Sequence, residues 1–119
     1  MKKLSKKEEN IMEMFWQNGA MTVNEMLEMY ADPKPHFNTV STQVRLLEKN
    51  GFVKHEKEGT GYRYSPAVTR DEYSNASIGH IVSRCFENSY IDAVSALVKD
   101  DRITLSELKE LIRRLEEEQ

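Results

Sequence analysis

Asn38, Thr42, Arg45 and Lys49 stand at positions i, i+4, i+7 and i+11. In a helix, about 100° per residue places them on one face, with Ser41 beside them. Their chemistry is hydrogen bonding to flat, polar edges. An asparagine amide can bond adenine through two atoms at once, and an arginine fork can do the same to guanine. Serine and threonine hydroxyls reach bases or phosphates, and a threonine methyl can touch the methyl of thymine. Acidic side chains would repel phosphates, and the stretch "FNTVSTQVRLL" has none; the first is Glu48. Short polar residues are mediocre helix formers. A helix surface built from them is what a major-groove helix requires, although exposed Ser, Thr and Asn also occur on ordinary helices, so the stripe alone leaves both readings open.

The helix carrying this stripe spans about residues 37–50. Phe37, Val40, Val44 and Leu47 fall within about 80° of one another on its other side and form its buried face. Gly51 follows at the position where a left-handed residue closes a helix. Two helices precede it. Ser5/Glu8 and Thr22/Glu25 each set a hydroxyl three residues before a Glu, the reciprocal cap of a helix start. The first helix, about residues 6–18, buries Ile11, Met14 and Phe15, and the second, about 23–30, buries Val23, Met26 and Leu27. Pro33 and Pro35 break the chain before the third helix. His36 stands where a cap is wanted. After Gly51 the period shortens. Residues of about 52–57 and 62–65 alternate partially around Gly59 and Gly61, a β-hairpin that Pro66 closes. Three further helices follow at about 70–87, 90–99 and 105–118, with caps at Thr69/Glu72, Ser89/Asp92 and Thr104/Glu107.

Composition narrows the function classes. The chain has 119 residues, 39% of them hydrophobic and 31% charged, so it can build a core under a well-solvated surface. No apolar run approaches the roughly 18 residues of a membrane span. The basic start "MKKLSKKEEN" has no apolar stretch after it, so no secretion signal is expected. Cys85 is alone, which excludes an intrachain disulfide and a multi-cysteine zinc site. A cytoplasmic location follows as an expectation. His36, His55 and His80 are scattered, without the spacing of metal ligands. No nucleophile constellation and no phosphate-cradling glycine loop are present, so neither an enzyme nor a bound cofactor is expected. Charge is uneven. Residues 1–70 hold 11 Lys/Arg and 9 Asp/Glu, while residues 71–119 hold 6 and 11. The positive balance lies with the polar helix, where a DNA backbone would be met.

A short helix, a turn, a polar helix and a hairpin form the order of a winged helix-turn-helix. Lys54, Lys57 and Arg63 on the hairpin could be presented to the backbone. The fold expected is therefore mainly α with a small β-hairpin wing. Residues 1–68 would form the DNA-binding domain and 69–119 a helical dimerisation domain. Ile91, Val94, Leu97 and Val98 make one apolar stripe, and Leu108, Leu111, Ile112 and Leu115 make another. A unit of about 50 residues rarely buries enough surface alone, so these stripes are expected to meet a second copy, the alternative being that they pack back onto the first unit.

The same residues carry a resemblance. "LSKKEENIMEMFW", "MTVNEM", "NTVSTQVRLLEKNGFVKHEKEG" with "YRYSP", and the tail "LVKDDRITLSELKELIRRLEEE" resemble successive segments of the penicillinase-repressor and methicillin-resistance-repressor family, which includes copper-responsive repressors. The resemblance covers nearly the whole chain. It implies a homodimeric repressor on an inverted-repeat operator, with recognition contacts at Asn38, Thr39, Ser41 and Thr42. It also implies a membrane sensor-protease, or its signalling product, as a further partner, with no membrane insertion of this chain itself. Departures are local. The basic residue usual at the Ser41 position is missing, and Leu46 replaces an Arg while Arg45 sits beside it. The operator expected is therefore not the one read by the best-known members. Antibiotic-responsive members are cut at an Asn-Phe bond, where this chain has Ala96-Leu97. The copper-responsive members' cysteine cluster has no counterpart beyond Cys85. The alternative expectation is a winged-helix adaptor that binds protein and no DNA.

Overall fold

The computed structural model describes residues 1–119. Its elements are α1 (Lys6–Asn18), α2 (Val23–Glu28), α3 (Phe37–Lys49), β1 (Val53–Glu58), β2 (Gly61–Pro66), α4 (Arg70–Cys85), α5 (Tyr90–Lys99) and α6 (Leu105–Glu118). This is the expected mainly helical fold with a hairpin wing. No helix is long and apolar enough to cross a membrane.

Local chemistry sets the helix starts. Ser5, Thr22 and Thr104 each accept from the backbone N–H three residues on, while Glu8, Glu25 and Glu107 reach back to the cap's own N–H. Each cap satisfies two donors that the helix itself cannot. Thr69 and Ser89 make only the first of these bonds, to Glu72 and Asp92. His36 caps α3 through Nδ1, which accepts from Asn38 N–H at 3.4 Å.

Contacts divide the chain into two units, Met1–Ala76 and Ser77–Gln119. In the first, α1 touches both α3 and β2, and α2 touches both α3 and β2. Phe15, Met12, Met26, Val40, Val44 and Leu47 are fully buried, and Ile11, Phe52 and Tyr64 nearly so. The buried face of α1 differs from the expected one, with Met12 inside and Met14 only half-buried. A helix clasped on two sides buries a wider arc than one stripe, and Met12 lies on that added arc. Leu27 is likewise half-buried, and α2 stops at Glu28 instead of Tyr30. The last turn tightens, with the Met29 and Tyr30 N–H groups donating three residues back to Met26 and Leu27, and the Lys34 ammonium takes up the carbonyls of Leu27, Glu28 and Tyr30 at 2.9–3.3 Å.

The first turn of α4 belongs to this unit because two polar ties hold it. Tyr73 Oη donates to Glu9 at 3.0 Å and receives the Leu4 N–H at 3.4 Å. Trp16 Nε1 donates to the Val68 carbonyl just before it, at 2.8 Å.

At the end of α3, Gly51 has φ +84°. Its N–H donates to Glu48 and that of Phe52 to Leu47, closing the helix and turning the chain into the wing. A side chain at Gly51 would meet no neighbour, so the backbone angle alone is the constraint. Gly51→Ala should destabilise the protein by about 1–2 kcal/mol, the cost of a left-handed L-residue. The urea midpoint would report it, and an unchanged midpoint would contradict it.

In the second unit, α4 ends at Cys85, two residues earlier than expected. Glu87 and Asn88 adopt positive φ, and the N–H groups of Phe86 and Asn88 both donate to the Val82 carbonyl. Neither α5 nor α6 buries a single residue. Ile91 is 79% exposed, and Val94, Leu97, Leu111, Ile112 and Leu115 are also exposed, with Val98 and Leu108 half-buried.

Candidate nucleic-acid interface

The polar face of α3 is built from its buried one. Val40, Val44 and Leu47 are each 0% exposed, which fixes the helix's rotation and turns Asn38, Thr42, Arg45 and Lys49 to solvent. None of these four side chains makes a hydrogen bond or salt bridge within the chain. Their donors and acceptors therefore face water, ready for an outside partner.

The two flanks of the helix differ. Phe37, Ser41 and Glu48 lie on the wing side. Phe37, expected in the core, is 43% exposed. It is the first residue of α3, beyond the reach of the core that covers Val40. With Ser41, Asn24 and Tyr62 it lines a groove of about 440 Å³ between α3, the start of α2 and the wing. Thr39 and Gln43 lie on the opposite flank, beside α1. Of the four residues that the resemblance singles out, Asn38 and Thr42 thus share the outward face, while Ser41 and Thr39 sit on opposite flanks.

Strand register sorts the wing cations. β1 pairs antiparallel with β2, with His55 opposite Tyr64, Lys57 opposite Tyr62, and Lys54 opposite Ser65. Paired residues share a face. Tyr64 is buried and His55 Nδ1 meets the carboxylate of Glu48 on α3, so their face looks toward α3. Lys57 and Tyr62 share it at the wing tip. Lys54 points to the other face, and so does Arg63.

Arg63, expected to meet the DNA backbone, is engaged within the chain. Its Nε and Nη2 both donate to Glu58 at 3.0 Å, and its Nη1 donates to Glu25 at 2.8 Å and to the Ala20 carbonyl at 3.2 Å. These partners raise its pKa, Glu58 first and then Glu25. The Glu25 carboxyl is in turn held below its ordinary value, by the Thr22 backbone N–H and then by Arg63. Its partner Glu25 lies 38 residues away in sequence, so spacing could not reveal the tie. A second strap lies alongside, where Met21 and Tyr64 exchange backbone hydrogen bonds at 2.8 Å.

No cluster of three His, Cys, Asp or Glu side chains converges as a metal would need. Cys85 is exposed.

Comparison with known proteins adds an independent line. Residues 4–117 match the sequence family described as Penicillinase repressor. A curated relative, the "Penicillinase repressor" of Bacillus licheniformis, is 25% identical over 119 residues, covering 96% of this chain and 90% of the relative.

Proposed function

The chain belongs to the penicillinase repressor family, and from that premise we propose that it is a homodimeric transcriptional repressor of a pseudo-palindromic operator. The observation that carries the reading is the acid-free stripe Asn38–Thr42–Arg45–Lys49, solvent-facing and with no side-chain hydrogen bond or salt bridge within the chain. In this reading α3 enters the major groove, where Asn38 and Arg45 offer two-atom bonds to base edges. Lys57 and Tyr62 on the α3-facing side of the wing meet the backbone. Arg63 has a different task, holding the wing to α2. The bare apolar stripes of α5 and α6 join two copies, and two-fold symmetry then sets half-sites one helical turn, about 34–36 Å, or a multiple of it apart.

The test is a mobility shift on DNA upstream of the protein's own operon, repeated across salt. Binding through Lys and Arg must weaken steeply as salt rises, whereas an apolar protein–protein contact would not. No shift with any upstream fragment at low salt sinks the reading. Within that assay, Arg45→Ala should weaken operator binding by about 1–3 kcal/mol and relax preference at one base pair. An equal loss on every sequence would place Arg45 on phosphate instead.

A further inference from the structure

A second groove, of about 260 Å³, lies on the α1 flank of α3, away from the wing. Lys7 and Asn10 of α1, Tyr30 after α2, and Thr39 and Gln43 of α3 line it, under a rim of Pro33 and Pro35. We propose that this groove seats a phosphate of the DNA backbone, on the strand opposite the one the wing meets. The proposal rests on the DNA-binding reading above and adds a site to it.

Geometry comes first. Taking Phe37 as zero on the α3 wheel, Thr39 and Gln43 fall near 200° and 240°, while Phe37, Ser41 and Glu48 fall within about 40° of zero. The outward stripe lies between the two flanks. A helix with its side chains is about 10–12 Å across, and the major groove is about 12 Å wide. A helix in that groove fills it, so its two flanks must face the two sugar-phosphate walls. The wing covers one flank, and the second groove occupies the other.

Chemistry points the same way. The lining offers an ammonium, two amides, a hydroxyl and a phenol, and no carboxylate. The wing-side groove, by contrast, includes Glu58. Lys7 makes no salt bridge within the chain, and Lys34 is occupied by the carbonyls at the end of α2. That tie also fixes the proline rim before any ligand arrives. Burial pushes the Tyr30 phenol above its ordinary value, so it stays a donor across the neutral range. Donors of this kind around one cation make the charge-assisted bonds that phosphate oxygens accept.

Neutralised phosphates read the site directly. On a synthetic duplex carrying the tightest-binding upstream sequence, methylphosphonates would be placed one at a time, with wild-type protein, Lys7→Ala and Gln43→Ala. One position per half-site should weaken the wild type by about tenfold yet weaken Lys7→Ala little further. Lys7→Ala should also lower the salt slope by about 0.9 for each half-site, with the ratio of operator to unrelated DNA unchanged. Gln43→Ala, a second route to the same groove, should reproduce the loss at that position. If both variants bind with unchanged affinity and slope, or if every methylphosphonate effect adds fully to Lys7→Ala, the groove holds no phosphate, although the wild type's shift still stands. If the wild type binds no fragment, the groove proposal and the repressor reading fall together.

Discussion

Leu111→Asp is expected to turn the protein into monomers in sedimentation, and to abolish operator binding at concentrations where the wild type is fully bound. Leu111 is the middle of the α6 stripe, 43% exposed in the single chain and flanked by Leu108, Ile112 and Leu115. No residue of α5 or α6 is fully buried within the single chain, so a substitution on their exposed stripe has little to break inside one subunit. In a two-fold dimer the same change enters twice. Each uncompensated carboxylate in an apolar seam costs about 3 kcal/mol or more, and two weaken association by about 10⁴-fold. Circular dichroism and the melting of the Met1–Ala76 core should stay close to wild type, which separates dissociation from unfolding. A dimer that persists would put the interface on another surface. Ile78, Ile81 and Tyr90, also exposed, are the next place to look.

Phe15→Ala is expected to have the largest effect on stability. Phe15 is fully buried where α1 meets α3 and β2. Removing the ring takes away its transfer energy and leaves a cavity that neighbours fill only partly, for about 3–5 kcal/mol. In a domain of this size that lowers the melting temperature by at least about 12 °C. Because Val40, Val44 and Leu47 orient α3 through the same core, operator binding should weaken near that lower midpoint while remaining intact well below it. A loss under about 1 kcal/mol would mean that the core is not organised around α1.

Much of this architecture was legible in the sequence, for a physical reason. Helix starts depend on residues three apart, and Ser5/Glu8, Thr22/Glu25 and Thr104/Glu107 announce themselves. Gly51 likewise marks the end of α3 through its own backbone freedom. The apolar stripe of α3 was readable at Val40, Val44 and Leu47, and with it the outward direction of Asn38, Thr42, Arg45 and Lys49. What could not be read locally were properties set by distant partners. Phe37 has the spacing of a core residue, but the core ends one turn away from it. The ties of Arg63 to Glu25 and Ala20 join segments far apart in the sequence. Met12 joins the core only because α1 is held on two sides. The phosphate-seat residues Lys7, Asn10, Tyr30, Thr39 and Gln43 come from three separate segments, and no single period in the sequence links them.

The tethering of the wing has a thermodynamic consequence. Arg63 ties β2 to Glu25 and Ala20, Met21 extends the sheet by backbone bonds to Tyr64, and His55 meets Glu48 on α3. An untethered hairpin of two strands is marginal in water, and it would surrender conformational entropy each time it settled on a ligand. Here that entropy is lost once, when the chain folds. The wing is pre-organised, so if Lys57 and Tyr62 meet DNA as proposed, the free energy of those contacts is not diminished by the ordering of a mobile loop.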